Sequence, residues 1–276
     1  MSEARIRTLL LCLGAAATLV FCLAPFVYMA LAATSERVEF ASPETDYSFT
    51  LAHLRTVLLS RSIRFPQQLA NSLVVAGVSS VVSVAIASLA AYAFTRLALP
   101  GRTALLMTIL AVSMFPPVSL VGHLFRFMSA LGWVNTRQAL VLPYVAWTLP
   151  LSLWVLVSYF ARIPRDLDSA ALVDGCSRLQ ILARIVLPLA APGIFSTALL
   201  AFVFAFNEFL FALVLTTDQA ARTVPVGIAL FEGMHGEVPW GETMAAATIT
   251  TVPVVVLTLL FQRHIIQGLT RGAVKA

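Results

Sequence analysis

A short charged segment and one acid inside an apolar run are the residues of this sequence best able to do chemistry. The segment, residues 163–188, is the most charged stretch of a very apolar chain, and the acid is Glu208, preceded by Asn207. The signatures of metal and serine proteases, HExxH and GxSxG, are both missing. A phosphate-binding GxxxxGKS/T loop is missing as well, because Lys275 is the only lysine. The sequence therefore excludes ATP hydrolysis by this chain and indicates contacts with partners or a solute instead of catalysis.

The first part of this segment predicts a short amphipathic helix. Its apolar side chains fall at i, i+4, i+7 and i+8, and they are Ile163, Leu167, Ala170 and Ala171. Asp166 and Asp168 lie where negative charge complements the positive start of a helix. Gly175 follows Asp174 and predicts a left-handed stop, because glycine has no Cβ to oppose that backbone conformation.

A second helix is predicted directly after the glycine. Ser177 and Gln180 have the spacing of a capping box, in which the two side chains satisfy backbone amides of the first turn. Pro188 is expected to interrupt this helix. Residues 163–188 are therefore predicted to form a helix, a glycine turn and a second helix between two membrane spans, and we call them the hairpin.

The hairpin resembles the cytoplasmic coupling motif of ATP-binding cassette import permeases, which reads Glu-Ala-Ala, three residues, Gly, nine residues and Ile-x-Leu-Pro. The matching residues are Ala170, Ala171, Gly175 and the run 185–188. An extended form is similar to the carbohydrate-import subfamily of the maltose and trehalose type, and its residues are Ile163, Pro164, Leu167, Asp174 and Gly175. The resemblance implies that the hairpin docks on an ATPase subunit, with Ala170 and Ala171 as a small face that enters a groove. An amphipathic cytoplasmic hairpin with no coupling role is the alternative.

One position of the motif departs from the family pattern. Ser169 stands where the motif has its glutamate, which in the family makes a polar contact with the ATPase. Because serine is too short for that contact, Asp168 or Asp166 is expected to supply the charge from the preceding turn. Pro188 closes the motif as the family pattern requires.

Composition identifies an integral membrane protein. Hydrophobic residues make up 59% of the chain and charged residues 11%, whereas soluble domains carry about 25% charged residues. Six apolar stretches reach the length of about 20 residues that a membrane span needs, and they lie near 8–33, 67–95, 103–125, 138–161, 190–215 and 243–262. We therefore predict an all-α fold with six transmembrane helices in a single permease domain over 1–276. The first stretch is expected to be a retained anchor, because it is longer than the apolar core of a signal peptide.

Basic residues orient the six predicted spans. Of the 18 Lys and Arg residues, eleven lie on the side that holds both termini and the hairpin, and seven lie on the other. The positive-inside rule therefore places both termini and the hairpin in the cytoplasm. The expected location is the cytoplasmic membrane of a bacterium or archaeon, crossed several times by the chain. The basic balance is thus a signal of topology, and no nucleic-acid partner is expected.

Small residues at four-residue intervals mark the second predicted span. They are Ser79, Ser83, Ala87 and Ala91. Such a stripe lets the backbones of two helices approach closely inside a membrane. We therefore predict that this face packs against another helix, within the chain or in a partner.

Glu208 lies in the fifth predicted span, where an acid is costly enough to suggest a functional role. One interpretation places Glu208 and Asn207 on the translocation pathway near an outer vestibule. The other makes Glu208 a structural partner for a polar or basic group on a neighbouring helix. The surrounding segment resembles the Trp-Asn-Asp/Glu-Phe-Leu pattern of sugar permeases, with Phe206 in place of the tryptophan.

Two further segments resemble family regions that contact partners. The loop 216–242, which contains Gly233 and Trp240, corresponds to the loop that reaches toward the substrate-binding protein. Residues 262–276 resemble the tail of maltose-type permeases, so Arg271 and Lys275 are expected to touch the ATPase. A solvated tail without contacts is the alternative.

The resemblance as a whole implies the permease subunit of a heteromeric, ATP-driven importer for a di- or oligosaccharide such as trehalose or maltose. The implied partners are a second, non-identical permease subunit, two cytoplasmic ATPase subunits that bind ATP and magnesium, and an extracytoplasmic sugar-binding protein. No cofactor and no catalytic residue are expected in this chain. A permease of the same class for glycerol phosphate or a monosaccharide is one alternative. An ion or solute channel is another, although it would leave the hairpin without a role.

Overall fold

The computed structural model describes residues 3–37, 46–231 and 238–273, with side chains described for 7–36, 48–231 and 238–263. The described residues are mostly helical, which confirms the predicted all-α class apart from one two-stranded β-hairpin. The helices are α1 (Glu3–Ala33), α2 (Ala52–Leu59), α3 (Phe65–Arg96), α4 (Arg102–Ser113), α5 (Pro117–Ala130), α6 (Arg137–Phe160), α7 (Asp166–Val173), α8 (Arg178–Ile181), α9 (Leu187–Leu189), α10 (Ala191–Phe206), α11 (Leu210–Leu215), α12 (Val224–Ala229) and α13 (Trp240–Ala273). The strands are β1 (Ser35–Arg37) and β2 (Asp46–Phe49), and a π-helix (Leu182–Val186) joins α8 to α9.

Contacts within the chain group it into two compact units. The first comprises Met1–Pro66 and Gly227–Pro253, and the second comprises Gln67–Val226 and Val254–Ala276. The single permease domain expected over 1–276 stays a prediction.

In the first unit, α1 is exposed along most of its apolar stretch, and only Ala32 and Ala33 at its end are buried. This exposure is expected of a helix that faces lipid or another subunit. After it, β1 pairs with β2 in antiparallel fashion. The His53 ring of α2 lies between β1 and the start of α13. Its Nε2 is 3.1 Å from the Ser35 carbonyl oxygen, and its Nδ1 is 3.2 Å from Glu242 Oε1. Gly241 makes room for this ring, because a Cβ at that position would overlap the imidazole.

The second unit is built around α3, α6 and α10. The predicted stripe of small residues on α3 is fully buried, which confirms close packing, and Ser83 Oγ lies 3.4 Å from Ser152 Oγ of α6. Buried apolar side chains form two clusters in this unit. One includes Val75, Leu140, Tyr144, Phe206 and Leu215. The other includes Ala87, Leu156, Phe160, Ala171, Ile181 and Val186, so the hairpin is part of the core.

Four described helices are long and apolar enough to cross a membrane. They are Arg7–Ala33, Phe65–Arg96, Arg137–Phe160 and Trp240–Arg263, and they correspond to the predicted spans 8–33, 67–95, 138–161 and 243–262. The number rises to six when each of two bent helix pairs counts as one span.

The remaining two predicted spans are not continuous helices. The stretch 103–125 is divided between α4 and α5, which meet at an angle of 85°. Pro116 and Pro117 lie at this break. They account for it, because proline removes an amide donor and its ring blocks the preceding turn. The stretch 190–215 begins at a bend of 80° between Arg178–Leu189 and Ala191–Phe206, and it is broken again between Phe206 and Leu210.

Gly193→Ala is expected to destabilise the chain, because a Cβ at Gly193 of α10 would overlap the Tyr159 ring of α6. Overpacking of this kind costs about 1–3 kcal/mol. Gly77→Ala in α3 is the matched control, since the added methyl group meets no atom within 4 Å. Thermal unfolding of the purified chain in detergent measures both variants, and equal midpoints would contradict the close approach of α10 to α6.

Candidate functional site

The hairpin starts with α7 and the glycine turn that ends it. Ile163 lies outside α7, because a residue before proline disfavours the helical conformation. Gly175 has a φ of 81°. The Cys176 amide donates to the Ala171 carbonyl oxygen at 2.9 Å, and the Gly175 amide donates to that of Leu172 at 3.1 Å. This pair of bonds is a Schellman motif, and it confirms the predicted glycine stop.

The second helix of the hairpin starts at the predicted capping box. The Gln180 amide donates to Ser177 Oγ at 3.3 Å, and the Ser177 amide donates to Gln180 Oε1 at 2.7 Å. Both reciprocal bonds are thus present, which confirms the predicted helix start.

The expected interruption at Pro188 takes the form of a π-helix before the proline, while helical structure continues through Pro188 to Leu189. Proline has no amide hydrogen for the carbonyl group of Arg184. The chain widens at this point into the π-helix, in which the Leu187 amide donates to the Leu182 carbonyl oxygen. The change of direction comes later, in the bend before Ala191–Phe206.

One face of α7 is buried, and it differs from the predicted face. Asp168 is 5% exposed and Ala171 is 6% exposed, whereas Leu167 and Ala170 are exposed. The prediction failed because it treated an aspartate as a residue that faces solvent. Ala171 therefore does not belong to the small face expected to enter a groove in a partner, while Ala170 remains available for that contact.

The buried aspartate pairs with Arg96, the last residue of α3. Arg96 Nε lies 2.7 Å from Asp168 Oδ2, and the two side chains are 2% and 7% exposed. Arg96 also donates to the Ile163 carbonyl oxygen at 2.9 Å, and Arg165 donates to that of Thr95 at 2.7 Å. Buried charges in proteins are paired. The expectation that Asp168 supplies an outward charge in place of the motif glutamate is therefore wrong.

The exposed face of the hairpin combines apolar area with two acids. Val173 is 88% exposed, and Leu179 is largely exposed as well. Asp166 and Asp174 keep exposed carboxylates. The exposed side chain of Ser169 donates only to the Arg165 carbonyl oxygen, at 3.4 Å. Apolar side chains beside unburied acids are suited to contact with another protein.

Glu208 occupies the break between α10 and α11. Its Oε1 accepts the Phe211 amide at 2.9 Å, and its Oε2 accepts the Ala212 amide at 3.2 Å. The first amides of a helix have no partner within the helix and carry partial positive charge, so α11 stabilises the carboxylate. The buried Tyr144 of α6 lies near the same carboxylate. The structural interpretation of Glu208 is thus supported by a polar neighbour on another helix. Two backbone amides of α11 support it as well.

The role of Asn207 and Glu208 in a translocation pathway stays a prediction. Asn207 is exposed and Glu208 is half-buried, and neither lines the cavity of about 270 Å³ between α4, α6 and α10. The polar side chains of that cavity belong to Ser113, Trp147, Thr148, Ser152 and Thr197. The four hydroxyls donate to carbonyl groups of their own helices, so the cavity lining is mainly apolar.

The predicted contact residues of the outer loop and tail are only partly described. Gly233 and Lys275 lie outside the described residues, and for Arg271 the structure describes the backbone, in α13. Trp240 is the first residue of α13 and is partly exposed.

Arg96, Arg165 and Asn71 carry contacts that the sequence did not predict. The two arginines counted only toward membrane topology. Asn71 is fully buried near the start of α3 and accepts from Arg137 Nε at 2.8 Å. Its own amide group donates to the carbonyl oxygens of Ala220 and Arg222, both at 3.0 Å. The available signal was a charged or amide side chain close to the end of a long apolar run.

Glu208→Ala removes both acceptors for the free amides of α11. The loss of such a cap is expected to cost about 1–2 kcal/mol of stability, and Glu208→Gln, which keeps one acceptor oxygen, should cost less. Thermal unfolding of the purified variants measures the effect, with Asn207→Ala as the neighbouring control. Unchanged stability together with lost transport would contradict the structural interpretation and favour the pathway.

A family model and two protein relatives match the chain over most of its length. The model, described as "Binding-protein-dependent transport system inner membrane component", matches residues 83–271. The trehalose/maltose transport system permease protein of Thermococcus litoralis is 52% identical over 276 residues, which cover 100% of this chain and 99% of the relative. The trehalose transport system permease protein of Mycobacterium tuberculosis is 43% identical over 212 residues, which cover 76% of this chain and 77% of the relative.

Solved structures share the fold. A chain in the crystal structure of a bacterial ABC transporter involved in the import of the acidic polysaccharide alginate aligns with a TM-score of 0.76 at 20% identity, over 95% of this chain and 98% of that chain. A chain of the bacterial alginate ABC transporter in complex with an alginate pentasaccharide-bound periplasmic protein aligns with a TM-score of 0.68 at 20% identity, over 93% and 92%. Since the family model covers the hairpin and the interrupted helix that carries Glu208, this chain belongs to the family of inner membrane components of binding-protein-dependent transport systems.

Proposed function

We propose that this chain is one permease subunit of an ATP-driven importer for a di- or oligosaccharide of the trehalose or maltose type. The observation that carries the proposal is the 52% identity, over the whole chain, to a permease named for trehalose and maltose transport. The second relative is also named for trehalose. These names do not favour glycerol phosphate or a monosaccharide as cargo, and a channel would leave the hairpin without a role.

The proposed importer contains three further kinds of subunit. They are a second, non-identical permease, two cytoplasmic ATPase subunits and an extracytoplasmic sugar-binding protein. The family description supports the binding protein, and the missing phosphate-binding loop supports separate ATPase subunits. ATP and magnesium then bind to the ATPase subunits, while this chain holds no cofactor and catalyses no reaction.

Both termini and the hairpin are proposed to lie in the cytoplasm of a bacterium or archaeon. The support is the distribution of 18 basic residues, eleven on that side and seven on the other. The loop with Gly233 and Trp240 then faces the sugar-binding protein. Arg271 and Lys275 lie inside, where the tail touches the ATPase.

The exposed face of the hairpin is proposed to dock in a groove of an ATPase subunit. Ala170 and Val173 provide apolar contact area, while Ser169 provides only a hydroxyl where the family motif has a glutamate. Asp166 and Asp174, which form no ion pair within the described part of the chain, are the acids of this face that remain available to a basic groove. Asp168 is excluded from that contact because it is buried against Arg96.

The buried side of the hairpin connects this docking to the membrane spans. Ala171, Ile181 and Val186 belong to the same apolar cluster as residues of α3 and α6. Because protein cores are close-packed, a shift of the hairpin displaces the ends of those helices. ATP binding brings the two ATPase subunits together, the hairpin moves with them, and the cavity between the two permeases turns from inward-facing to outward-facing. Asn207 and Glu208 are proposed to lie along that pathway, at the break between α10 and α11.

Sugar uptake by the complete importer tests the proposed function. The chain would be purified with the subunits encoded beside it and reconstituted into vesicles together with the binding protein. We expect ATP-dependent uptake of trehalose or maltose that requires the binding protein. Uptake of glycerol phosphate or glucose without uptake of trehalose or maltose would contradict the proposal. Flux of sugar through this chain without ATP would contradict it as well.

Gly175→Val tests the proposed role of the hairpin. A residue with a Cβ in the left-handed conformation costs roughly 1–2 kcal/mol, and no atom within 4 Å of the added Cβ complicates the effect. We expect the variant to reach the membrane and to hydrolyse ATP, with less sugar transported per ATP. Gly175→Asn is the matched control, because asparagine tolerates this conformation. Equal transport per ATP in the two variants would contradict a coupling role for the turn.

A further inference from the structure

We propose that α3 is the rigid link that carries movement of the hairpin to residues 219–224, which we call the outer segment, through a polar joint at each of its ends. This inference rests on the proposed coupling role of the hairpin and names the residues through which that role acts. It follows from three observations in the second unit, which concern the hairpin end of α3, the opposite end and the helix between them.

The inner joint consists of reciprocal contacts between two arginines and opposing chain segments. Arg96 of α3 reaches the hairpin, with Nε 2.7 Å from Asp168 Oδ2 and a bond of 2.9 Å to the Ile163 carbonyl oxygen. Arg165 of the hairpin reaches α3, with a bond of 2.7 Å to the Thr95 carbonyl oxygen. That carbonyl is among the last four of α3, which lack partners within the helix. The hairpin therefore completes the end of α3.

A buried ion pair at this joint has a consequence that an apolar contact lacks. Desolvation offsets most of the Coulombic attraction, so an apolar pair of similar size would serve stability equally well. An apolar contact tolerates sliding, whereas displacement of Arg96 from Asp168 leaves two buried charges without partners. The pair thus fixes the position of the hairpin along α3, and the two elements move together.

The outer joint lies near the other end of α3. Asn71 is fully buried, and its amide group donates to the carbonyl oxygens of Ala220 and Arg222, both at 3.0 Å. The Val224 amide donates to Ser72 Oγ at 2.8 Å. These bonds hold the backbone of the outer segment, so a displacement of α3 along its axis displaces that backbone.

The helix between the joints is suited to transmit such a displacement. From Asn71 to Arg96 it extends over about 37 Å, at about 1.5 Å per residue. The other long helices all contain internal prolines: α1 and α13 have one each, and α6 has two. No proline lies in α3 after Pro66 in its first turn. Because kinks form mainly at prolines, α3 moves as one body.

Stimulation of ATP hydrolysis by the sugar-loaded binding protein tests the inner joint in the complete importer. The double variant Arg96→Leu/Asp168→Leu removes both charges and leaves none buried alone, so the complex is expected to assemble. Stimulation should decrease by a factor of about 5 to 150, which is the range of coupling between distant sites. ATP hydrolysis itself should persist. Arg96→Lys keeps the charge and should restore part of the stimulation. Arg102→Leu, which replaces an exposed arginine at the start of α4, is the matched control and should leave stimulation unchanged.

Combination with an outer variant shows whether both joints belong to one link. Asn71→Ala should lower stimulation as the inner double variant does, whereas Gln138→Ala, an exposed amide in the first turn of α6, should not. Changes at sites this far apart normally add. If α3 connects the joints, the triple variant loses no more stimulation than either parent. If the decrease in stimulation in the triple variant equals the product of the two separate decreases, the proposal that α3 links the joints is wrong. Full stimulation in the inner double variant would also contradict it.

Hydrogen exchange separates failure of the link from failure of the proposed function. If the wild-type complex shows no stimulation by a sugar-loaded binding protein, the proposed function fails, and amide exchange in the purified chain still decides the link. Amides of residues 219–224 are expected to exchange severalfold faster in Arg96→Leu/Asp168→Leu than in Arg102→Leu. Equal protection of these amides in both variants would overturn the role of α3.

Discussion

Free backbone groups at helix ends are the constraint on which much of this structure depends. Hydrocarbon offers them no hydrogen bonds, so each helix that stops within the membrane needs hydrogen-bond partners from protein or from water in a cavity. Glu208 supplies acceptors for the first amides of α11, and Arg165 supplies a donor for a terminal carbonyl of α3. The hairpin closes its own turn through Gly175. Glu208 and Arg165 thus lie where helices end, and each supplies hydrogen bonds that the helix end lacks.

This constraint also explains why the hairpin is part of the core. A cytoplasmic loop without buried contacts would follow an ATPase without moving the spans. Here Ala171, Ile181 and Val186 are buried in the same cluster as residues of α3 and α6, and Asp168 of the hairpin pairs with Arg96 of α3. One side of the hairpin therefore belongs to the membrane domain, and the other side, which carries Val173, is free for a partner. The arrangement that the proposed coupling needs is therefore present, with one face of the hairpin buried in its own chain and the other exposed.

The burial of Asp168 changes the interpretation of Ser169, because Asp168 cannot replace the glutamate that the family motif has at that position. The hairpin has no acid at the motif position, and because Asp168 is buried, its exposed acids are Asp166 and Asp174. The proposed docking on an ATPase subunit would then depend more on apolar area than on one charge-assisted contact. Apolar area gives affinity with less orientational specificity than a charge pair does, so the internal pair with Arg96 is the better candidate for the orienting contact.

The sequence by itself determined the elements whose signals are local. Apolar runs long enough to cross a bilayer predicted the spans, Gly175 predicted the turn because of its backbone freedom, and the spacing of Ser177 and Gln180 predicted the second helix start. The small residues of α3 predicted close packing. Resemblance to known permeases added the family, which the similarity to curated relatives then supported.

Only the tertiary structure decided which face of each element is buried and which helices are continuous. Periodicity assigned Leu167 to the inside of α7 and Asp168 to the outside, because a local pattern cannot show that Arg96, far away in sequence, offsets the charge. The same limit applies to Asn71, whose partners lie in the outer segment. Pro188 was expected to interrupt a helix, and the structure shows that a π-helix accommodates its missing donor. Local patterns specify what a segment can form, while burial and pairing depend on residues that only the folded chain brings together.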